Sequence, residues 1–278
     1  MRIGFLGYGE AARAFRAGLT GAVMAFDRKL PDPDMVAAMT ADGVTVLHDI
    51  SGLAKADWII SAVTADQSLL AITPLLPHLR QGQVVIDINS VSPNRKIETA
   101  AQVTAAGALY LDMAVMAPVH PRGIATPVLI AGPDAGTLLP ELTALGFKAG
   151  IAGDTVGRAT AIKMVRSLFV KGLEAITVEA LLAAEASGCF EEILASLSGS
   201  FAGLGWDTFP AYQFERTTTH GARRAAEMRE SGATLADLGL NGQLAVEIAN
   251  VQDEMAKAKA AGSDLHATVK AVLAKRLS

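Results

Sequence analysis

The stretch from Arg2 to Leu19 constrains the fold more than any other. Arg2–Leu6 is a short apolar run, Gly7-Tyr8-Gly9-Glu10-Ala11-Ala12 follows it, and Ala12–Leu19 carries the three-and-four spacing of a helix. Strand, glycine turn and helix in that order are the setting of a dinucleotide-binding fingerprint. Gly7 can take the tight turn, Gly9 lets backbone approach a pyrophosphate, and Ala12 lets the helix lie close to the strand. The helix start presents unpaired N–H groups and a positive dipole end to phosphate. Gly7, Tyr8, Gly9, Glu10 and Ala11 are therefore the expected cofactor-contacting turn.

The next strand, Ala22–Phe26, ends in Asp27, about twenty residues beyond the first glycine, where the fingerprint places a carboxylate. There it would bind both ribose hydroxyls and repel a 2′-phosphate, which favours NAD. Arg28 pulls the other way, since a guanidinium can bind the phosphate of NADP or stack on adenine. Plainer uses also exist: Asp27 as a turn cap, and Arg28-Lys29 as a solvated loop. The expected cofactor is NAD or NADP, with NAD favoured.

Strand and helix patterns continue to alternate. Strands are expected at Gly43–Val46, Asp57–Val63, Val84–Ile88, Tyr110–Val115, Pro127–Ala131 and Phe147–Ile151. Helices are expected from Gln67 towards Leu79, over Asn94–Ala106 after the Ser92-Pro93 start, and over Ala135–Leu145. In open α/β sheets ligands bind beyond the carboxyl ends of the strands. Gly7, Gly9, Asp27, Val63, Thr64, Asn89 and Ser90 all fall at such ends, so they are expected around one crevice.

Gly157–Ser187 reads as one unbroken helix of about thirty residues, roughly 45 Å long. Ile162, Val165, Phe169, Gly172/Leu173, Ile176, Ala180 and Ala183/Ala184 mark its expected buried face. Such a helix usually joins two bodies. The expected fold is α/β: a Rossmann-type doubly wound sheet over 1–153, then an all-helical domain over 154–278, joined by the long helix at about 155–187. Within that second part, Glu191–Leu197 is amphipathic, Gly199–Gly205 is a break, and Trp206–Phe214 opens another element. Asn250–Ala260 and Leu265–Leu277 read as the last helices, the latter capped by Asp264.

Positive mean hydropathy raises the question of a membrane, but no run of eighteen apolar residues is free of charges and prolines. The chain starts directly on a strand, which leaves no room for a signal peptide. The single Cys189 forms no internal disulfide and argues against a Cys-based metal site. A net charge of −4 with no basic block argues against nucleic acid. These features together predict a cytoplasmic protein with no metal, no membrane and no nucleic-acid partner.

These segments resemble the β-hydroxyacid dehydrogenase family, the relatives of 6-phosphogluconate and 3-hydroxyisobutyrate dehydrogenases. The family's glycine turn is matched by GFLGYGEAA, with Ala11-Ala12 in place of its usual Met-Gly. Its "aspartate, any, serine/asparagine-serine/threonine, two residues, proline" segment is matched by Asp87-Ile88-Asn89-Ser90-Val91-Ser92-Pro93, and places Ser90 near the nicotinamide. Its glycine-to-lysine helix start is matched by Gly157–Lys163, with Ser167 where the family has asparagine one turn later. Its substrate loop is kept only in part. Asp112-Met113-Ala114-Val115 holds the frame, but Met116-Ala117-Pro118 replaces the polar, glycine-rich end, and proline has no N–H to offer a carboxylate. The run Thr217–Met228 resembles a subgroup of phosphogluconate dehydrogenase-like proteins with a distinctive C-terminal domain.

The resemblance implies hydride transfer between a nicotinamide cofactor and a small hydroxy acid or its keto or aldehyde partner. Lys163 would give or take the proton of the substrate oxygen, with burial favouring its uncharged form. Ser167 would donate to the same oxygen in the asparagine's place, or be a plain helix-surface serine. Ser90, Met116, Ala117 and Pro118 would line the substrate. His220 and Arg224, one turn apart, would hold its carboxylate or phosphate; the plainer reading is a solvated helix start with Arg223 and Arg224 paired to Glu227. His120-Pro121-Arg122-Gly123 is a further candidate anion site. A homodimer with intertwined helices is implied as well. Two rivals share the fold: an imine reductase, which as a group lacks the lysine, and a cofactor-binding regulatory protein without turnover.

Overall fold

The computed structural model describes residues 1–278, which form two compact units, Met1–Lys163 and Met164–Ser278. The first holds strands β1 (Ile3–Leu6), β2 (Val23–Phe26), β3 (Thr45–Val46), β4 (Trp58–Ser61), β5 (Val84–Asp87), β6 (Leu109–Val115), β7 (Pro127–Ala131) and β8 (Lys148–Gly153). They make one sheet in the order β3-β2-β1-β4-β5-β6-β7-β8. Every neighbouring pair is parallel except β6 and β7. A parallel return needs a crossover, usually a helix; the 116–126 connection has only a 3₁₀ turn at Gly123–Ala125, so β7 comes back antiparallel.

Helices α1 (Glu10–Arg16), α2 (Pro33–Ala41), α3 (Ser68–Ile72), α4 (Pro93–Ala105) and α5 (Ala135–Ala144) cover the sheet. Alternation along the strands sorts the core into two layers. Ile3 and Phe5 pack with Phe15 of α1, Met39 of α2 and Leu138 of α5. Leu6 and Met24 pack on the other face with Ile72 of α3 and Val103 of α4. Between β1 and β4 the winding reverses, which opens the crevice at the strands' carboxyl ends. The helix expected from Gln67 to Leu79 is broken: only Ser68–Ile72 is α-helical, flanked by 3₁₀ turns at Ala65–Gln67 and Thr73–His78. Pro74 and Pro77 lack the N–H that would continue it.

Helix α6 (Arg158–Ala186) begins in the first unit, where Ala159 and Thr160 are buried, and continues into the second. The second unit is otherwise α7 (Phe190–Ser200), α8 (Phe209–Asp237), α9 (Gln243–Ala258) and α10 (Leu265–Arg276) around Val178, Leu182, Phe214, Met255 and Val269. Helices α8 and α9 approach so closely that a Cβ at Gly221 would lie 2.2 Å from the Gln252 carbonyl oxygen. Two expectations are corrected here. Arg216–Met228 is the middle of α8, not a helix start, and α9 begins at Gln243 rather than Asn250.

The apolar stripe of α6 is also corrected. Val165, Phe169 and Ile176 are 54 %, 70 % and 69 % exposed, and Ile162 is exposed with them. The buried side carries Met164, Ser167, Lys171, Glu174, Val178 and Leu181 instead. No helix is long and apolar enough to cross a membrane.

Candidate active site

The glycine turn after β1 has the conformation its sequence calls for. Gly7 has φ +87°, and a Cβ there would meet the Ala62 carbonyl oxygen at 2.7 Å. Gly9 is exposed, with open space where its Cβ would be, and its carbonyl accepts from Arg13 inside α1. Glu10 is exposed and Ala11 half-buried at the helix start. The backbone of Gly7 and Gly9 thus leaves the close approach that a pyrophosphate needs.

Tyr8 turns away from that opening, contrary to its place in the expected cofactor turn. Its ring is buried edge-on against Phe5, its hydroxyl donates to Asp42 at 3.0 Å, and burial with that carboxylate raises its pKa. Its N–H donates to Asp27 Oδ2 at 2.8 Å, while Lys29 N–H donates to Asp27 Oδ1 at 2.9 Å. Asp27 therefore is a turn cap, and the two N–H groups fix its carboxylate at the end of β2. Two donors leave a carboxylate with acceptor capacity for ribose hydroxyls. Arg28 is exposed beside it and donates to Gln67 Oε1 at 2.6 Å.

Asn89 is buried and works inward. Its Oδ1 accepts from Val63 N–H at 2.7 Å, its Nδ2 donates to Ser61 Oγ at 2.9 Å, and its own N–H donates to Asp87 Oδ1 at 2.8 Å. Asn89 and Val63 thereby join the ends of β4 and β5 rather than offering these groups to a ligand. Thr64 is exposed and Ser90 half-buried beyond those ends. Lys163 Nζ donates to Ser90 Oγ at 2.6 Å, so two residues read as functional from separate segments meet directly.

Beneath this pair is a buried ionic network in which sequence reasoning overlooked one member. Lys96 Nζ lies 2.8 Å from Asp87 Oδ1 and 3.6 Å from Asp112 Oδ1. Tyr110 donates its hydroxyl to Asp87 Oδ2 at 2.7 Å, and burial beside that carboxylate holds its pKa well above the usual phenol range. Asp112 accepts from the N–H groups of Gly157 and Thr160 at 3.1 Å each, and from Thr160 Oγ1 at 2.7 Å. The signal for Lys96 was present: with Ala100 and Val103 it occupies the buried face of α4.

On the 116–118 segment, Met116 N–H donates to the Pro127 carbonyl at 3.0 Å and its side chain packs on Ala114, Ala131 and Ala159. That N–H is therefore not open to a carboxylate; Ala117 is half-buried and Pro118 exposed. His120 and Arg122 are exposed.

In the second unit the expected His220–Arg224 anion pair does not form. Arg224 is buried, its Nε donates to Glu174 Oε2 at 2.9 Å, and its Nη2 pairs with Glu174 Oε1. Gln252 Nε2 donates to the same Oε2 at 2.9 Å. The guanidinium is filled by a carboxylate of its own chain. His220 is half-buried on α8. Lys171 Nζ meets Glu227 Oε2 at 2.6 Å. Ser167 is buried, with Lys171 Nζ 3.4 Å from its hydroxyl. Burial lowers the Lys171 pKa against the opposing pull of Glu227. No group of three or more His, Cys, Asp or Glu is placed to hold a metal ion.

Comparison with known proteins matches residues 2–133 to the NAD binding domain of 6-phosphogluconate dehydrogenase, and residues 184–255 to a domain of unknown function, DUF1932. A conserved hypothetical protein from Sinorhizobium meliloti 1021 is 33 % identical, with 99 % of this chain and 96 % of that chain covered and a TM-score of 0.77. The 2-(hydroxymethyl)glutarate dehydrogenase of Eubacterium barkeri is 26 % identical over 216 residues, 73 % of this chain and 70 % of that protein. A 3-hydroxyisobutyrate dehydrogenase from Mycobacterium tuberculosis, solved with L-serine, shares the fold at 22 % identity, 100 % and 99 % coverage and a TM-score of 0.73.

Proposed function

The chain belongs to the β-hydroxyacid dehydrogenase family of oxidoreductases acting on CH–OH groups, and from that premise we propose that it interconverts a small hydroxy acid and its keto or aldehyde partner, with Lys163 as the proton-transfer residue. The observation that carries this reading is the 2.6 Å contact between Lys163 Nζ and Ser90 Oγ at the carboxyl ends of the strands.

A nicotinamide cofactor, when bound, takes or supplies the hydride. The turn at Gly7, where a Cβ would strike the Ala62 carbonyl oxygen, and the exposed backbone at Gly9, with open space where its Cβ would be, fit its pyrophosphate. Asp27, held rigid by two N–H groups, is the ribose acceptor, and its charge favours NAD over NADP. The Lys163 amine removes the alcohol proton in oxidation and returns it in reduction. Ser90 orients that amine.

The exposed stripe Val165, Phe169 and Ile176 supports a homodimer, since apolar side chains in a continuous patch commonly mark an interface. The single free cysteine fits a reducing compartment, and we place the protein in the cytoplasm.

A screen of hydroxy acids for NAD(P) reduction, followed by Lys163→Ala, tests the reading. Turnover should fall by about two to four orders of magnitude, the usual contribution of a general acid–base. NADH binding, followed by fluorescence, should be unchanged and tighter than that of NADPH. Wild-type turnover by the variant would sink the mechanism; tighter NADPH binding would sink the role of Asp27.

A further inference from the structure

Lys96 and Asp112 have no solvent exposure and Asp87 only 1 %. Burying three charges carries a desolvation cost that their attraction must offset, and apolar side chains of like volume often serve stability as well. The placement of this cluster gives it another use. Lys96 Nζ holds both a side-chain oxygen of Asp87 at 2.8 Å and the Asp87 carbonyl at 2.5 Å. Asp87 in turn receives the N–H of Asn89, the residue before Ser90. On its other side Lys96 meets Asp112, which grips Gly157 and Thr160 at the start of α6, and Lys163 follows Thr160 by one turn. One ammonium therefore ties together the two backbones whose side chains meet at 2.6 Å.

We propose that Lys96 is a positioning residue, which through Asp87 and Asp112 sets Lys163 against Ser90. Its consequence for turnover rests on the reading of Lys163 given above. Without the cation, the β5 end and the α6 start lose their shared anchor, and the two buried carboxylates repel each other. The Ser90 hydroxyl then no longer accepts from the Lys163 ammonium, and the neutral amine is relatively favoured.

Lys96→Met alone leaves two carboxylates buried and can simply fail to fold, so the informative variant is the charge-balanced pair Lys96→Met with Asp87→Asn. Competitive labelling of lysine amines by fluorodinitrobenzene over a pH series, read by peptide mass spectrometry, reports Lys163 without any substrate. The labelling midpoint of Lys163 should move to lower pH in the pair variant and in Ser90→Ala, with no further shift when the two are combined. NADH affinity should stay within about twofold, while kcat falls about 10- to 100-fold, the scale of a misplacement near 1 Å. A purely structural Lys96 would change the melting temperature and leave the labelling midpoint where it is. Wild-type labelling of Lys163 in a folded pair variant overturns the proposal even if Lys163→Ala is inactive. Turnover surviving in Lys163→Ala removes the catalytic reading, and the labelling still decides the positioning.

Discussion

Arg224 turns its guanidinium into the helices of the second unit, where Glu174 fills the fork and Gln252 adds a third donor. Arg224→Met would leave Glu174, 2 % exposed, without the guanidinium that binds both its oxygens, at a cost of about 3–5 kcal/mol. Thermal unfolding should show the loss, and adding Glu174→Met should recover most of it. The KM for a carboxylate substrate should be unchanged where the variant is folded; a specific rise would return Arg224 to the substrate site. This pairing was not legible in the sequence because its partners are 50 residues apart, and arginine on a helix carries no local mark of what it faces. Gly7 and Asp27 were legible because a positive φ and a strand-end carboxylate are local demands. What Asp27 does with two backbone N–H groups depends on the turn and was visible only as one alternative.

Helix α6 shows how periodicity identifies an element and misassigns its faces. The apolar spacing identified the helix, but the residues that set it, Val165, Phe169 and Ile176, lie on the exposed side. The buried side tolerates Lys171 because Glu227 lies 2.6 Å away, and Glu174 because of Arg224. Amphipathic spacing records that a face is kept from water, and a second chain can do that as well as the same chain. Phe169→Asp should therefore leave each folded chain close to wild-type stability, since the side chain is exposed, while converting a dimer to monomer in light scattering. A wild type already monomeric at high concentration would dismiss the interface. Proline acted at the same scale elsewhere: Pro74 and Pro77 divided the expected 67–79 helix into a short α-helix and a 3₁₀ turn.

Across the whole molecule, the alternation of strand and helix was enough to read the sheet, since each strand carries its own pattern; the antiparallel β7 was not, because direction is set by a connection. The sheet's amino-terminal end has an electrostatic clamp of its own. Asp57 accepts from the Arg2 backbone and guanidinium and from Arg80, and these bonds, the Arg2 side chain first, hold its pKa down to about 2. A carboxyl with a depressed folded pKa stabilises the fold above its unfolded value near 4, and that contribution is lost as pH falls from about 4 through 2. Asp57 is over a third exposed, so solvent screening keeps the effect small. Asp57→Asn should lower the melting temperature by about 1–3 °C at neutral pH and close the gap to wild type near pH 2. A gap independent of pH would point to packing.

The grip of Asp112 on Gly157 and Thr160 also governs how the chain can be cut. A fragment ending at Gly153, where β8 ends, would keep every strand of the sheet yet strip this fully buried carboxylate of three hydrogen bonds. The sheet and the helix that leaves it are thus one folding problem: a dissection that respects the last strand would fall in the wrong place, and one that carries Lys163 would not.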